Sequence, residues 1–304
     1  MALRRRRRAG PQLTASLTGG APGLPAPSQL ELDRRAYRTR RSRRSTGVAL
    51  LSTLVFAVVA YLVVTRSPGW PRVQTTFFSL SAARDAFPDI LRGLWLNVQV
   101  LVIGGLLVLV LGLGIAVLRT LRGPAFAPLR LLATGYVDLF RGMPLIITLY
   151  LVGFGLPALR LQGVPNSPFV LGTLAIVLTY SAYVAEVFRA GIESVHPSQR
   201  AAARSLGLTH RQTTRIVVLP QAIRNVTPAL LNDFVALQKD VGLISVLGAV
   251  DAVRAAQIQV GQTFNFTPYV VAGLLFVLLA VPSARIADGV AARARRRQQT
   301  GSVL

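Results

Sequence analysis

The stretch AAARSLGLTHRQTTRIVVLP occupies Ala201–Pro220. Pro197 fits a first helical turn, where its missing N–H is no loss. Ser198–Leu206 then reads as a short helix. Gly207 follows at the position where a helix end favours positive φ. Thr209 with Gln212 three residues on is a capping box for a second helix. Pro220 is expected to close or kink that helix, because it lacks a donor and clashes with the preceding turn. The pattern is helix, glycine turn, helix. It is rich in arginine, in a chain of 304 residues with net charge +23. Two partners suit such an element: a DNA groove, or a protein surface.

The flanks decide between them. Hydrophobic residues make up 52% of the chain, and mean hydropathy is +0.51. These values suit a polytopic membrane protein. Apolar runs predict spans over about 48–65, 93–118, 131–154, 169–188, 226–250 and 268–286, each near the length needed to cross a bilayer. Span 48–65 reads as a retained anchor, since it starts too late for an ordinary signal peptide. Residues 1–47, with Arg4–Arg8 and an arginine cluster before Thr46, read as a disordered basic tail. Residues 66–90 read as an extracytoplasmic linker, 91–289 as the main domain and 290–304 as a second basic tail. With both termini cytoplasmic, nearly all arginines fall on the inner side, as the positive-inside rule requires. The expected fold is therefore all-α and polytopic, with about six transmembrane helices in the cytoplasmic membrane.

Ala201–Pro220 then lies between the fourth and fifth spans, tethered at both ends. A recognition helix must enter the major groove while its partner crosses the backbone. A segment held this way does that poorly, so nucleic acid is rejected as its partner and docking of a cytoplasmic protein is expected. The chain has no cysteine and only His196 and His210, an inventory that argues against a metal site or a membrane enzyme. No GxxxxGK[ST] loop is present, so no nucleotide site is expected in this chain.

The segment resembles the EAA motif of ABC importer permeases. It has Ala201-Ala202-Ala203, three residues, Gly207, nine residues, then Val217-Val218-Leu219-Pro220. Ala201 stands where that motif usually has Glu, and Val217 where it has Ile. Further pieces are similar to the polar amino acid branch of the family: YVDLFRGMPL (136–145), YSAYVAEVFRAGIESV (180–195), the run from Leu219 to Gly248, and RAAQ (254–257). Relatives usually carry Thr at Met143 and Thr-Ser at Val241-Gly242. The resemblance spans about Leu91–Gly289.

It implies a five-helix type I permease core behind one N-terminal anchor. It implies alternating-access import of a polar amino acid, or of a related small solute such as an opine, ectoine or cystine. The implied partners are a second permease subunit, identical or not, a cytoplasmic ATPase dimer that binds ATP and Mg, and an extracytoplasmic solute-binding protein. Ala201, Ala202, Ala203, Gly207, Leu219 and Pro220 would form the coupling loop. The chain itself would be no enzyme.

Charges inside spans are costly and therefore candidates for function. In the fifth span Asn232 and Lys239 are seven residues apart, as are Asp233 and Asp240. Each pair shares a helix face, and the two faces adjoin. Lys239 lies about 22 Å along the helix from Arg224, near mid-membrane. These four are expected to line or gate a translocation path, or to form ion pairs that hold the helix. Glu186 and Arg189, at i and i+3, are expected to form a structural ion pair.

Overall fold

A computed structural model describes residues 28–121, 123–163 and 165–300. Every regular element among them is helical. Two compact units are distinguished, Met1–Trp70 and Pro71–Leu304.

The first unit holds α1 (Gln29–Thr65). Its apolar end, Ser45–Thr65, is long and apolar enough to cross a membrane. The arginine-rich segment before it was expected to be disordered, but residues 29–47 are helical. Ser28 caps the N-terminus by accepting from the Glu31 N–H at 3.3 Å. Arginine, alanine and leucine are strong helix formers, and the helix already nucleated in the apolar segment propagates into them at little further cost. The expected tail at 1–27 lies outside the described residues.

α2 (Trp70–Phe77), which enters the second unit at Pro71, leads to α3 (Leu80–Thr120). The expected linker at 66–90 is thus largely helical, and the second span starts earlier than its apolar stretch. Ser79 caps α3 from the Ala82 N–H, and its own N–H donates to Thr267 Oγ1 at 3.0 Å.

The expected third span is broken. α4 (Ala127–Gly142) and α5 (Leu145–Tyr150) part at Met143-Pro144, where the segments Pro124–Gly142 and Leu145–Ala158 meet at 108°. Pro144 excludes the α conformation at the residue before it, and Met143 is extended at φ −99°, ψ 132°. A π-helical turn (Leu151–Gly155) and α6 (Leu156–Ala158) complete this segment. α7 (Pro168–Glu193) follows and is the most buried of the long helices. The core packs around it: Val100 and Val108 of α3, Leu149 of α5, Ile176 and Val184 of α7.

α8 (Pro197–Ser205) and α9 (His210–Gln212) flank Gly207. Pro220 does not end the second helix. A π-helical turn (Thr213–Val218) precedes α10 (Leu219–Asp240), whose first turn contains the proline. Within the wider turn the Leu219 N–H reaches back five residues to the Thr214 carbonyl. Gln221 Nε2 donates to the Val217 carbonyl at 3.1 Å. These bonds carry the helix through a residue that supplies no donor. A 3₁₀ segment (Val241–Leu247) extends the run to Gly248, at φ +88°. His210–Leu247 is therefore one helical run. α11 (Ala252–Thr263) occupies the expected loop after the fifth span, and α12 (Thr267–Thr300) ends the described chain. Among the described residues four helices are long and apolar enough to cross a membrane, or up to six if each bent pair forms one span.

Candidate functional site: a basic turn on a helix with half-buried carboxylates

The turn around Gly207 is fixed at both ends. Gly207 has φ +83°, a region that favours glycine because it has no Cβ. The Leu208 N–H closes α8 onto the Ala203 carbonyl at 3.2 Å. Thr209 and Gln212 form the capping box of α9. Ala203 is buried, whereas Ala201, Ala202, Leu219 and Pro220 are exposed.

Behind the turn, Arg200 donates to the Ile192 carbonyl. Asn225 Nδ2 donates to Ser194 Oγ at 2.8 Å. A Cβ on Gly191 would lie 2.0 Å from Val226 Cγ1. The end of α7, the turn and the start of α10 thus form one packed body, with Val195, Val218 and Ala222 as its small apolar core.

Glu186 pairs with Arg189, and the pair belongs to a larger cluster. Glu186 Oε2 accepts from Arg119 Nη1 of α3 at 2.7 Å and from Arg189 Nε at 3.1 Å. Its Oε1 accepts from Arg189 Nη2. Arg141 Nη1, at the end of α4, lies 4.0 Å away. One carboxylate joins the ends of three helices. Arg119 is 13% exposed, so the ion pair is largely out of water.

The four polar residues of α10 divide by face. Asp240 Oδ2 accepts from the Tyr180 hydroxyl of α7 at 2.7 Å. Asp233 is half-buried, and its Oδ2 has no protein partner. It stands in the wall of a cavity of about 480 Å³ between α3, α7 and α10, with Leu101, Gly105, Tyr180, Val184 and Leu237. Asn232 and Lys239 point away from this interior and are exposed on the chain. Lys239 meets no carboxylate within 4.0 Å among the described residues, so the intrachain ion pair that was one expectation for it is not formed.

A junction that the sequence reading missed lies at the end of α10. Asn97 of α3 is fully buried. Its Nδ2 donates to the Val241 carbonyl at 3.1 Å and to Asp251 Oδ2 at 2.9 Å. Its Oδ1 accepts from the Ala252 N–H at 3.1 Å. Asp251, also fully buried, caps α11 through the Arg254 N–H at 2.8 Å. One turn before Asn97, a Cβ on Gly93 would meet the Asp251 carbonyl carbon at 2.3 Å. The available signals were one amide in an apolar run, GLWLNVQVL, and an aspartate three residues before the RAAQ motif.

Together these features define a multi-span helical membrane subunit in which the helical run His210–Leu247 carries an exposed basic turn at one end and half-buried carboxylates further along. Residues 124–296 match the profile of the binding-protein-dependent transport system inner membrane component family, and the chain belongs to that family. It is 34% identical to the arginine transport system permease protein ArtQ of Bacillus subtilis over 66% of this chain and 90% of that protein. It is 39% identical to the probable amino-acid ABC transporter permease protein y4tG of Sinorhizobium fredii, over 69% of this chain and 90% of the relative. Among solved structures, an amino acid ABC transporter crystallised with histidines superposes with TM-score 0.62 and 33% identity, covering 68% of this chain and 94% of the other. The MetNI methionine transporter shares the fold at TM-score 0.54 and 22% identity, covering 68% of this chain and 96% of the other. The chain is a membrane transport subunit, and membership implies work alongside an ATPase and a solute-binding protein.

Proposed function

We propose that this chain is the permease subunit of an importer that carries a polar amino acid into the cytoplasm. It would sit in the cytoplasmic membrane with both termini inside, paired with a second permease subunit. Two ATPase subunits on the cytoplasmic side would bind ATP and Mg and supply the energy of hydrolysis. A solute-binding protein on the outer side would deliver the amino acid.

One observation carries this reading. The run His210–Leu247 joins the exposed turn directly to the level of Asp233, Lys239 and Asp240. A displacement of the turn is transmitted along a helix rather than lost in a loop. The packed body around Gly191 and Val226 makes α7 move with it. Asn232 and Lys239 on one face, and Asp233 and Asp240 on the next, offer amide, cationic and anionic groups to a zwitterion. Ala201, Ala202, Ala203, Gly207, Leu219 and Pro220 act as the coupling loop. Glu186 and Arg189 hold the inner helix ends together.

The test is reconstitution of the chain with its ATPase and binding protein in liposomes, with hydrolysis measured against a panel of amino acids, opines, ectoine and cystine. One polar amino acid should stimulate hydrolysis and accumulate inside, and Lys239→Met should reduce its uptake. Stimulation only by a solute outside the amino acids refutes the substrate class. Unaltered uptake by Lys239→Met refutes the path assignment.

A further inference from the structure

We infer that the arginine-rich half of α1 binds anionic phospholipid and gathers it around the N-terminal span. The inference needs only that α1 crosses the membrane, so it stands apart from the importer reading. The family match starts at residue 124, and α1 lies outside it.

The continuity of the helix carries it. α1 runs unbroken from Gln29 to Thr65, and its apolar part, Ser45–Thr65, has 21 residues. At the rise of a helix such a length covers about 32 Å, close to the hydrocarbon core of about 30 Å. No apolar length is left over, so Arg44 stands at the edge of the core. Arg43, Arg41 and Arg40 follow within about 8 Å along the axis. The headgroup layer on one side is about 5–8 Å deep. Four arginines therefore fall at the level of the lipid phosphates. Arg38 stands about 10 Å from Ser45, and Arg34 about 16 Å. Measured from the outer edge of the headgroups, Arg38 is within the screening length of about 8 Å at physiological salt, and Arg35 and Arg34 are at about its limit.

The register selects a lipid surface over a protein. The segment reads RRAYRTRRSRR over 34–44, with Ala36 and Tyr37 as its apolar members. No apolar stripe runs along it, and a protein interface draws its affinity from an apolar centre. At about 100° per residue the seven arginines occupy every side of the helix, with no gap wider than about 80°. A helix rising through a headgroup layer meets phosphates on every side, whereas a docked helix presents one face. Nucleic acid is disfavoured because four of the seven positions lie inside the headgroup layer. The acids follow the same order. Glu31 and Asp33 stand at the far end of α1, away from the span. An anionic surface repels them there least and attracts the arginines most.

The experiment uses the full chain in phosphatidylcholine vesicles containing phosphatidylglycerol. The chain has no cysteine, so Thr39→Cys carries a single fluorescent donor within the basic segment. Energy transfer to trace acceptor-labelled phosphatidylglycerol is compared with transfer to acceptor-labelled phosphatidylcholine. The ratio should show about threefold or greater enrichment of the anionic lipid at about 50 mM NaCl. At about 500 mM NaCl it should fall towards one, because the screening length shrinks to about 4 Å. Arg40→Gln/Arg41→Gln/Arg43→Gln/Arg44→Gln should abolish most of the enrichment, and the matching four-lysine variant should keep it, since the charge is retained. The four-glutamine variant alters the charge that orients the span, so the salt arm on the wild type decides by itself if that variant fails to insert. A wild-type ratio of one at low salt, or a ratio that salt does not change, overturns the site. Equal enrichment by an inserted four-glutamine variant also overturns it, leaving the lipid to arginines elsewhere in the chain. Enrichment abolished by added RNA, or by the transporter's ATPase subunit, gives the helix that occupant instead and overturns the lipid site.

Discussion

Replacing Asn97 by alanine tests the junction of α3, α10 and α11. The substitution leaves three groups without their partner: the Val241 carbonyl, Asp251 Oδ2 and the Ala252 N–H. All sit where Asn97 and Asp251 are fully buried. A buried polar group left unmet costs about 1–3 kcal/mol. Asp251 keeps its bond from the Arg254 N–H, so its share falls at the low end. The sum is at least about 3 kcal/mol. For a domain of this size each kcal/mol moves the midpoint by about 2–4 °C, so Tm should fall by about 6–12 °C. Tryptophan fluorescence of the detergent-solubilised chain reports this directly, since Trp95 lies two residues from the site. The double variant Asn97→Ala/Asp251→Ala should lose less than the sum of the two single losses, because it also removes the orphaned carboxylate. A single-variant shift under about 2 °C, or strict additivity, would refute the account.

Two further perturbations address the inner end. Glu186→Gln keeps an acceptor but removes the charge that faces Arg119, Arg141 and Arg189. Breaking a buried pair costs about 3–5 kcal/mol, and partial exposure of Glu186 reduces this to about 2 kcal/mol. Heat denaturation should shift down by about 4–8 °C, and a shift below about 1 °C would show the cluster to be idle. Gly191→Ala places a Cβ 2.0 Å from Val226 Cγ1, and overpacking of this kind costs about 1–3 kcal/mol. Uptake in proteoliposomes should drop, while Gly135→Ala, with nothing within 4 Å of its added Cβ, should transport normally. Equal uptake by the two variants would show that the α7–α10 contact does not matter.

The features that the sequence reading placed well are local ones. Gly207, the Thr209–Gln212 box and the Glu186–Arg189 spacing each lie within one or two turns of chain, where backbone geometry alone determines the outcome. The features it misplaced depend on direction or on distance. The stretch read as the third span, 131–154, runs straight across Met143-Pro144, yet the chain turns by 108° there. An apolar count carries no information about angle, and only the restriction that Pro144 puts on Met143 points to the bend. At Pro220 the local rule for proline failed because a π-turn and the Gln221 side chain rearranged the bonding around it. The arginines after Ser28 were read by charge, which favours disorder, whereas their helix propensity and an adjoining stable helix prevailed. Asn97 and Asp251 are 154 residues apart. Each looks like an isolated polar residue until the fold brings them together, and no pattern in either neighbourhood encodes the pairing.

The same geometry limits how such a subunit can move. The run His210–Leu247 is tied to α7 near the inner end, where Gly191 admits Val226. It is tied again further along, where Tyr180 donates to Asp240 and where Leu237 and Ile244 join Ile176 in the core. Between these ties lies the cavity walled by Asp233. Two contacts on one partner prevent the run from sliding along α7, because a slide would force Val226 into backbone and break a buried hydrogen bond. Close-packed interfaces of this kind shift as bodies rather than deform. Motion started at the turn must therefore be taken up elsewhere. The chain has breaks in regular helix at Met143-Pro144 and at Gly248, on either side of the α7–α10 body in sequence. In the importer that we propose, these two breaks are where such motion would be taken up, since the Glu186 cluster ties α3 and α4 to the body and the Asn97 cluster ties α3 and α11 to the end of its run.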